Sequence, residues 1–144
     1  MRLWHKDLIP VLPMQQLLGQ WRECCCIARN VNVNGTPNHL LVNKILNYPA
    51  EHFQTYAWLI CDELNRRGYN AKYALFAKWY PVKDQPVSAV DYVQLFYGWH
   101  NLKYLRQCYY NLEEKHDCGG INDEEFEKIK AVFESELRVT TRAI

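Results

Sequence analysis

The chain has 144 residues, with 17 Lys and Arg against 16 Asp and Glu for a formal net charge of +1. That length suits one domain and is too short for two cores, and the charge balance gives no sign of a polybasic nucleic-acid tail or an acidic disordered segment. No uncharged apolar run approaches the ~18 residues of a membrane span, and the N-terminus lacks a signal peptide's apolar core, so a cytoplasmic protein with no membrane partner is expected.

Pro10 and Pro13 punctuate the first segment, so residues 1–13 read as an extended arm leading into a helix near Met14. From there Leu17, Leu18, Trp21, Cys24, Cys25 and Ala28 recur at helical spacing and predict the buried face. Gln15, Gly19, Arg22, Cys26 and Arg29 fall on the opposite side, with Gln16 and Glu23 at its edge. Residues 30–48 read as a long connection with a short apolar piece, Leu40 to Leu46, of one helical turn or two. A second helix begins at Pro49 and places Phe53, Tyr56, Ala57, Ile60, Cys61 and Leu64 inward, ending in Arg66-Arg67-Gly68. The aromatic section 69–98, interrupted by Pro81 and Pro86, predicts irregular packing with at most a short helix. Trp99 to Lys115 is helical again, with Leu102, Leu105, Tyr109 and Leu112 inward and Gly119-Gly120 after it. Asn122 or Asp123 caps a last helix with Phe126, Ile129, Val132, Phe133 and Leu137 as its stripe, and with Glu124, Glu125 and Glu127 in a first turn that favours negative charge. No strand-type alternation occurs. The expected fold is all-α, a single compact domain over residues 1–144 with four to five helices, an extended N-terminal arm and long loops.

Six cysteines stand at 24, 25, 26, 61, 108 and 118 without a Cys-x-x-Cys pair, and free thiols are expected in a reducing compartment. His116-Asp117-Cys118 could join Cys108 around a metal, but its spacing is not that of a standard site, and the glycines after it favour a helix end. Phosphate-loop, serine-hydrolase and zinc-protease motifs are missing from the chain. The chemistry-bearing residues are concentrated early, in Gln15-Gln16-Leu17-Leu18-Gly19-Gln20-Trp21-Arg22-Glu23. From spacing alone Arg22 and Glu23 read as a solvated surface pair.

The N-terminal third nevertheless resembles the pyrimidine-dimer DNA glycosylases of the phage endonuclease V type. The shared patterns are Met1-Arg2-Leu3, Gln15-x-Leu17 followed by Trp21-Arg22-Glu23, and Leu112-Glu113-Glu114-Lys115 on a late helix. Leu64-Asn65-Arg66-Arg67-Gly68-Tyr69 is similar to the family's helix end with one residue added. The resemblance implies a metal-independent DNA repair enzyme that needs no cofactor, a hydrolase and lyase acting as a monomer on damaged double-stranded DNA. It implies further that the α-amine of the first residue attacks the sugar C1′, expels the damaged base as an N-glycosylase, and forms an imine from which an AP lyase breaks the strand. An α-amine titrates at about 7.7 to 8.0, so a neutral fraction exists near pH 7 that a lysine at about 10.4 does not offer unaided. Arg2 is too large for ordinary removal of the initiator, which makes the Met1 amine the implied nucleophile. Glu23 falls on the family's catalytic glutamate and would move the protons. Arg2, Gln15, Gln16, Arg22, Arg29 and Lys115 are the implied DNA-binding residues, which would hold the backbone rather than read sequence.

Cys26 and Asn111 stand where the family pattern has arginines, and Gln16 where it has a histidine. These departures support an alternative, a non-catalytic nucleic-acid-binding or interaction domain that keeps the fold. A third option is a thiol or metal protein built on the cysteines. The glycosylase reading also carries an expectation about charge: Glu124, Glu125, Glu127, Glu134 and Glu136 lie on the last helix, whereas Arg2, Arg22, Arg29 and Lys115 should gather around the Met1 amine and Glu23.

Overall fold

The structure, a computed structural model, describes residues 1–80 and 90–142, so the expectations attached to Pro81 and Pro86 lie outside the described residues. Among the described residues it is all-helical, without strands, as the apolar spacing predicts. Helix α1 spans Met14–Asn34, α2 Ala50–Arg66, α3 Ala74–Ala77, α4 Leu102–Asp117 and α5 Asp123–Arg142, with 3-10 helices at Lys6–Val11 and Asn43–Asn47. None of these helices is long and apolar enough to cross a membrane. The chain forms two compact units that alternate along the sequence: Met1–Leu3 with Gln15–Phe96, and Trp4–Met14 with Tyr97–Ile144.

In the first unit α2 is the central element. Phe53, Tyr56, Ala57, Ile60, Cys61 and Leu64 are all buried, on the predicted stripe. Each large apolar side chain so buried contributes about 1.5 to 3 kcal/mol, an upper bound because the unfolded chain already shields part of it. Pro49 caps the start, and Gly68 at φ +91 follows Arg67 into the left-handed turn that a Cβ would strain. Asn65 then clamps the outgoing chain, accepting the Ala71 N–H at 2.7 Å and donating to the Ala71 carbonyl at 3.0 Å. The apolar face of α1 comprises Leu17, Trp21, Cys24, Ile27 and Ala28, with Gln20 buried among them. It is therefore rotated from the predicted face: Leu18 and Cys25 are only half-buried, and Ile27 and Gln20 are inside. The short apolar piece after α1 is the 3-10 turn Asn43–Asn47, anchored by buried Val42 and Ile45 while Leu40 and Leu41 stay outside.

In the second unit the segment expected as an arm is extended only over its first residues. His5 Nδ1 accepts the Asp7 N–H at 3.0 Å and so caps the Lys6–Val11 3-10 helix, whose short length tolerates the donor lost at Pro10. Leu8, Ile9 and Leu12 are buried, so this segment is core and not an appendage. It packs against α5 and beside His100, whose Nδ1 accepts the Lys6 N–H at 3.0 Å. Helix α4 starts at Leu102, later than Trp99, because the Asn101 side chain accepts the Tyr104 N–H and fixes the cap there. It ends at Asp117, and Gly119 just beyond it takes a positive φ of +84. Asn122 and Glu125 form a capping box for α5, with Asn122 Oδ1 accepting the Glu125 N–H at 2.8 Å. Helices α4 and α5 close on Tyr109, which stacks on Phe133 at 4.3 Å between ring centroids. His116 stacks on Phe126 and bonds Asp123 at 2.7 Å. Its ring thus joins the two helices, and among the described residues no three His, Cys, Asp or Glu side chains gather as metal ligands.

Candidate active site

The periodicity of α1 places Gln16, Gln20 and Glu23 along one edge, at steps of four and three residues. Gln20 is 1% exposed, and its amide organises the neighbourhood. Nε2 donates to the Arg2 carbonyl at 3.0 Å and to Glu23 Oε2 at 3.2 Å, while Oε1 accepts the Tyr56 hydroxyl at 2.9 Å. One side chain thereby ties the start of the chain, the carboxylate and α2 together. Leu3 is fully buried, which pins the chain just after Arg2, and Met1 is 46% exposed.

The Glu23 carboxyl is raised above the usual carboxylate range, chiefly because burial penalises its charge. The Met1 amine and His39 lie within charge range and pull the other way, as does the hydrogen bond from Gln20. A carboxyl raised by burial holds a proton more readily than an exposed one, and it lies within charge range of the Met1 amine. The sequence motifs named Met1 and Glu23, and the fold places Gln20 in contact with Glu23 and His39 within charge range of it. Gln20 had a readable signal, a polar residue between Leu17 and Cys24 on an otherwise apolar face. His39 had none, because it comes from a loop distant in sequence.

A second feature occupies the outer side of α1. Arg22, Cys26 and Arg29, all exposed, line a cavity of about 460 Å³ with Tyr69, Lys78 and Trp79 opposite them. The Arg29 guanidinium stands 5.5 Å from the centre of the Trp79 ring, and the Lys78 ammonium 5.6 Å from it. Where Cys26 leaves a gap in the cationic pattern, Arg29 and Lys78 supply charge within the same cavity. Gln15 is exposed on the first turn of α1 and Gln16 half-buried on its inner edge. Lys115 is exposed in the last turn of α4, within the second unit.

The cysteines make no disulfide. Burial pushes the Cys24 and Cys61 thiols up and Cys25 to about 11, which keeps these three protonated and weakly reactive at neutral pH.

The described fold is all-helical, with the N-terminal amine within charge range of a semi-buried glutamate and arginines on the same helix. The family model for pyrimidine dimer DNA glycosylase matches residues 1–76, a span that holds Met1, Glu23 and Gln20 together with His39. The chain belongs to this pyrimidine dimer DNA glycosylase family. Comparisons with curated proteins and with solved structures gave no match.

Proposed function

We propose that the protein is a DNA repair enzyme, a damaged-pyrimidine N-glycosylase with AP lyase activity, whose nucleophile is the Met1 amine. The observation that carries this reading is the Gln20 amide, which bonds both the Arg2 carbonyl and the Glu23 carboxylate and so ties the residue next to the amine and the proposed proton carrier to one frame. The amine nitrogen attacks C1′ as the bond from C1′ to the base breaks, and the base leaves with that electron pair and a proton. The nitrogen loses a proton, its lone pair forms the C1′=N bond as the C1′–O4′ bond breaks, and the ring oxygen takes a proton, which leaves a ring-opened, protonated imine. The Glu23 carboxylate then takes a proton from C2′, the C3′–O bond breaks, and the 3′ phosphate departs. Only protein groups carry these steps, so neither metal nor cofactor is required.

Arg22 and Arg29, with Lys78, would neutralise phosphates along the outer side of α1, and Arg2, Gln15, Gln16 and Lys115 would add backbone contacts. The substrate would be damaged double-stranded DNA, with the pyrimidine dimer as the lesion and a monomer as the acting form. Bending the duplex and extruding a nucleotide costs a few kcal/mol, and damage lowers that cost.

Borohydride reduction on ultraviolet-irradiated or abasic duplex DNA tests the proposal. The native protein should give a covalent adduct at Met1, and extending or acetylating the terminus should abolish it. Glu23→Gln should slow strand cleavage by about 10²- to 10⁴-fold. Binding to damaged DNA without any adduct would instead support a non-catalytic binding domain.

A further inference from the structure

The inference rests on the reading of the protein as one that binds DNA, and it concerns the segment after α3, within the first unit. Phe76 and Tyr80 are buried and pack on Phe53 of α2, at 5.2 and 5.1 Å between ring centroids. The backbone turns tightly between them, and the Trp79 and Tyr80 N–H groups both donate to the Phe76 carbonyl, at 3.1 and 3.2 Å. Two core rings thus hold the turn, and Lys78 and Trp79 lie on its outer side, the first exposed and the second half-buried.

Trp79 is tied to α1 as well. Asn32, near the end of that helix, donates from Nδ2 to the Trp79 carbonyl at 2.7 Å, a bond that spans 47 residues. The indole forms part of the wall of the 460 Å³ cavity, and the Arg29 guanidinium and the Lys78 ammonium stand 5.5 and 5.6 Å from the centre of this one ring. The negative face of an indole attracts a cation. Here it gathers two like charges, from elements far apart in sequence, that would otherwise repel each other.

Arg22 lines the same cavity two turns before Arg29 on α1, and no carboxylate stands among the described residues that line it. Three cations brought to one cavity without an anion there call for an anion from outside. A phosphodiester of the DNA backbone supplies that charge. Lys78 and Trp79 fall just beyond residues 1–76, the span that the family model matches.

We propose that Trp79 is a positioning residue for DNA binding: its ring sets Arg29 and Lys78 together on the backbone of the bound strand, beside Arg22, and Asn32 fixes the ring to α1. Trp79 acts through the two cations, and no bond is made or broken at it.

Anisotropy titration of a duplex carrying a tetrahydrofuran abasic analogue, which cannot form the imine, reads binding apart from chemistry. Trp79→Leu should weaken binding about 5- to 10-fold, whereas Trp79→Phe, which keeps an aromatic face, should weaken it only about twofold. In an Arg29→Ala/Lys78→Ala background the added Trp79→Leu should change affinity by less than about twofold, because the ring then has no cations to set. On a true abasic duplex at saturating enzyme, borohydride-trapped adduct from Trp79→Leu should form within about twofold of the wild-type rate. Circular dichroism melting establishes that the variants are folded. Should Trp79→Leu unfold, Asn32→Ala carries the test, with a loss of about 2- to 4-fold that likewise vanishes without the two cations. Wild-type affinity in Trp79→Leu, an equal loss in Trp79→Phe, or a loss that persists undiminished without Arg29 and Lys78 would overturn the positioning role. Wild-type protein that binds the duplex but traps no adduct would sink the glycosylase reading and leave the binding titrations to decide the role of Trp79. Wild-type protein that binds no duplex would sink both.

Discussion

Gln20 occupies a position where the spacing of α1 asks for an apolar side chain, and its burial at 1% exposure means that its amide must be bonded. Replacing it with leucine keeps the volume but removes the ties to Arg2 and Glu23 and the acceptor for the Tyr56 hydroxyl. Gln20→Leu should therefore cost about 1 to 3 kcal/mol in denaturant unfolding and lower adduct formation more than it lowers DNA binding. Tyr56→Phe, which removes one hydroxyl and leaves the two ties to the terminus and carboxylate, should cost about 1 kcal/mol and keep most activity. Glu23 has the opposite balance of stability and function. Because its carboxyl is raised, folding favours its protonated form, so its contribution to stability is complete below the ordinary carboxylate range and is lost as pH rises through the raised value. Glu23→Gln should then melt at or above the wild-type temperature at pH 8 and lose that advantage at pH 4, even as the proposed strand cleavage slows. Scanning calorimetry at the two pH values checks the sign.

Among the helices, α2 was the most legible, because its six inward residues follow one helical face and its ends carry Pro49 and Gly68. The register of α1 was less so. Three adjacent cysteines and two leucines leave several apolar faces open on paper, and the choice among them is made by Gln20, whose bonds require the inner side. The start of α4 was misplaced because Trp99 and His100 look like helix residues, whereas the Asn101 cap overrides them. The capping box of α5 was readable, and Asn122→Ala should lower stability by about 1 kcal/mol in thermal melts. The Lys6–Val11 helix carries a pH dependence of its own. His5 and His100 stack at 5.1 Å and both accept backbone N–H groups through Nδ1. Burial lowers both imidazoles, so their contribution to folding is present above pH 6.5 and fades as pH falls below it. A melting temperature that declines between pH 6.5 and 5, and declines less in His100→Asn, is the expected result.

At the scale of the whole molecule, the net charge of +1 conceals a division: acidic residues load α5, whereas Arg22, Arg29 and Lys78 share one cavity in the first unit. Binding to duplex DNA should accordingly weaken with salt, and Arg22→Ala and Arg29→Ala should each reduce the log–log slope by about 1. The candidate site was half legible for a comparable reason. Met1, Arg22 and Glu23 belong to contiguous motifs that a reader can match, but Lys78 and His39 arrive from elsewhere in the chain, and only the folded backbone brings them to α1.

The alternation of the two units along the sequence has a temporal meaning. Residues 1–3 belong to one unit, yet the residues that follow them, Trp4–Met14, belong with the chain's last third. The hydrogen bond from Lys6 to His100 spans 94 residues, a closure that costs about 4 kcal/mol in chain entropy. During synthesis residues 1–3 can therefore settle against residues 15–96 as soon as these are made, whereas residues 4–14 must wait for the last third of the chain.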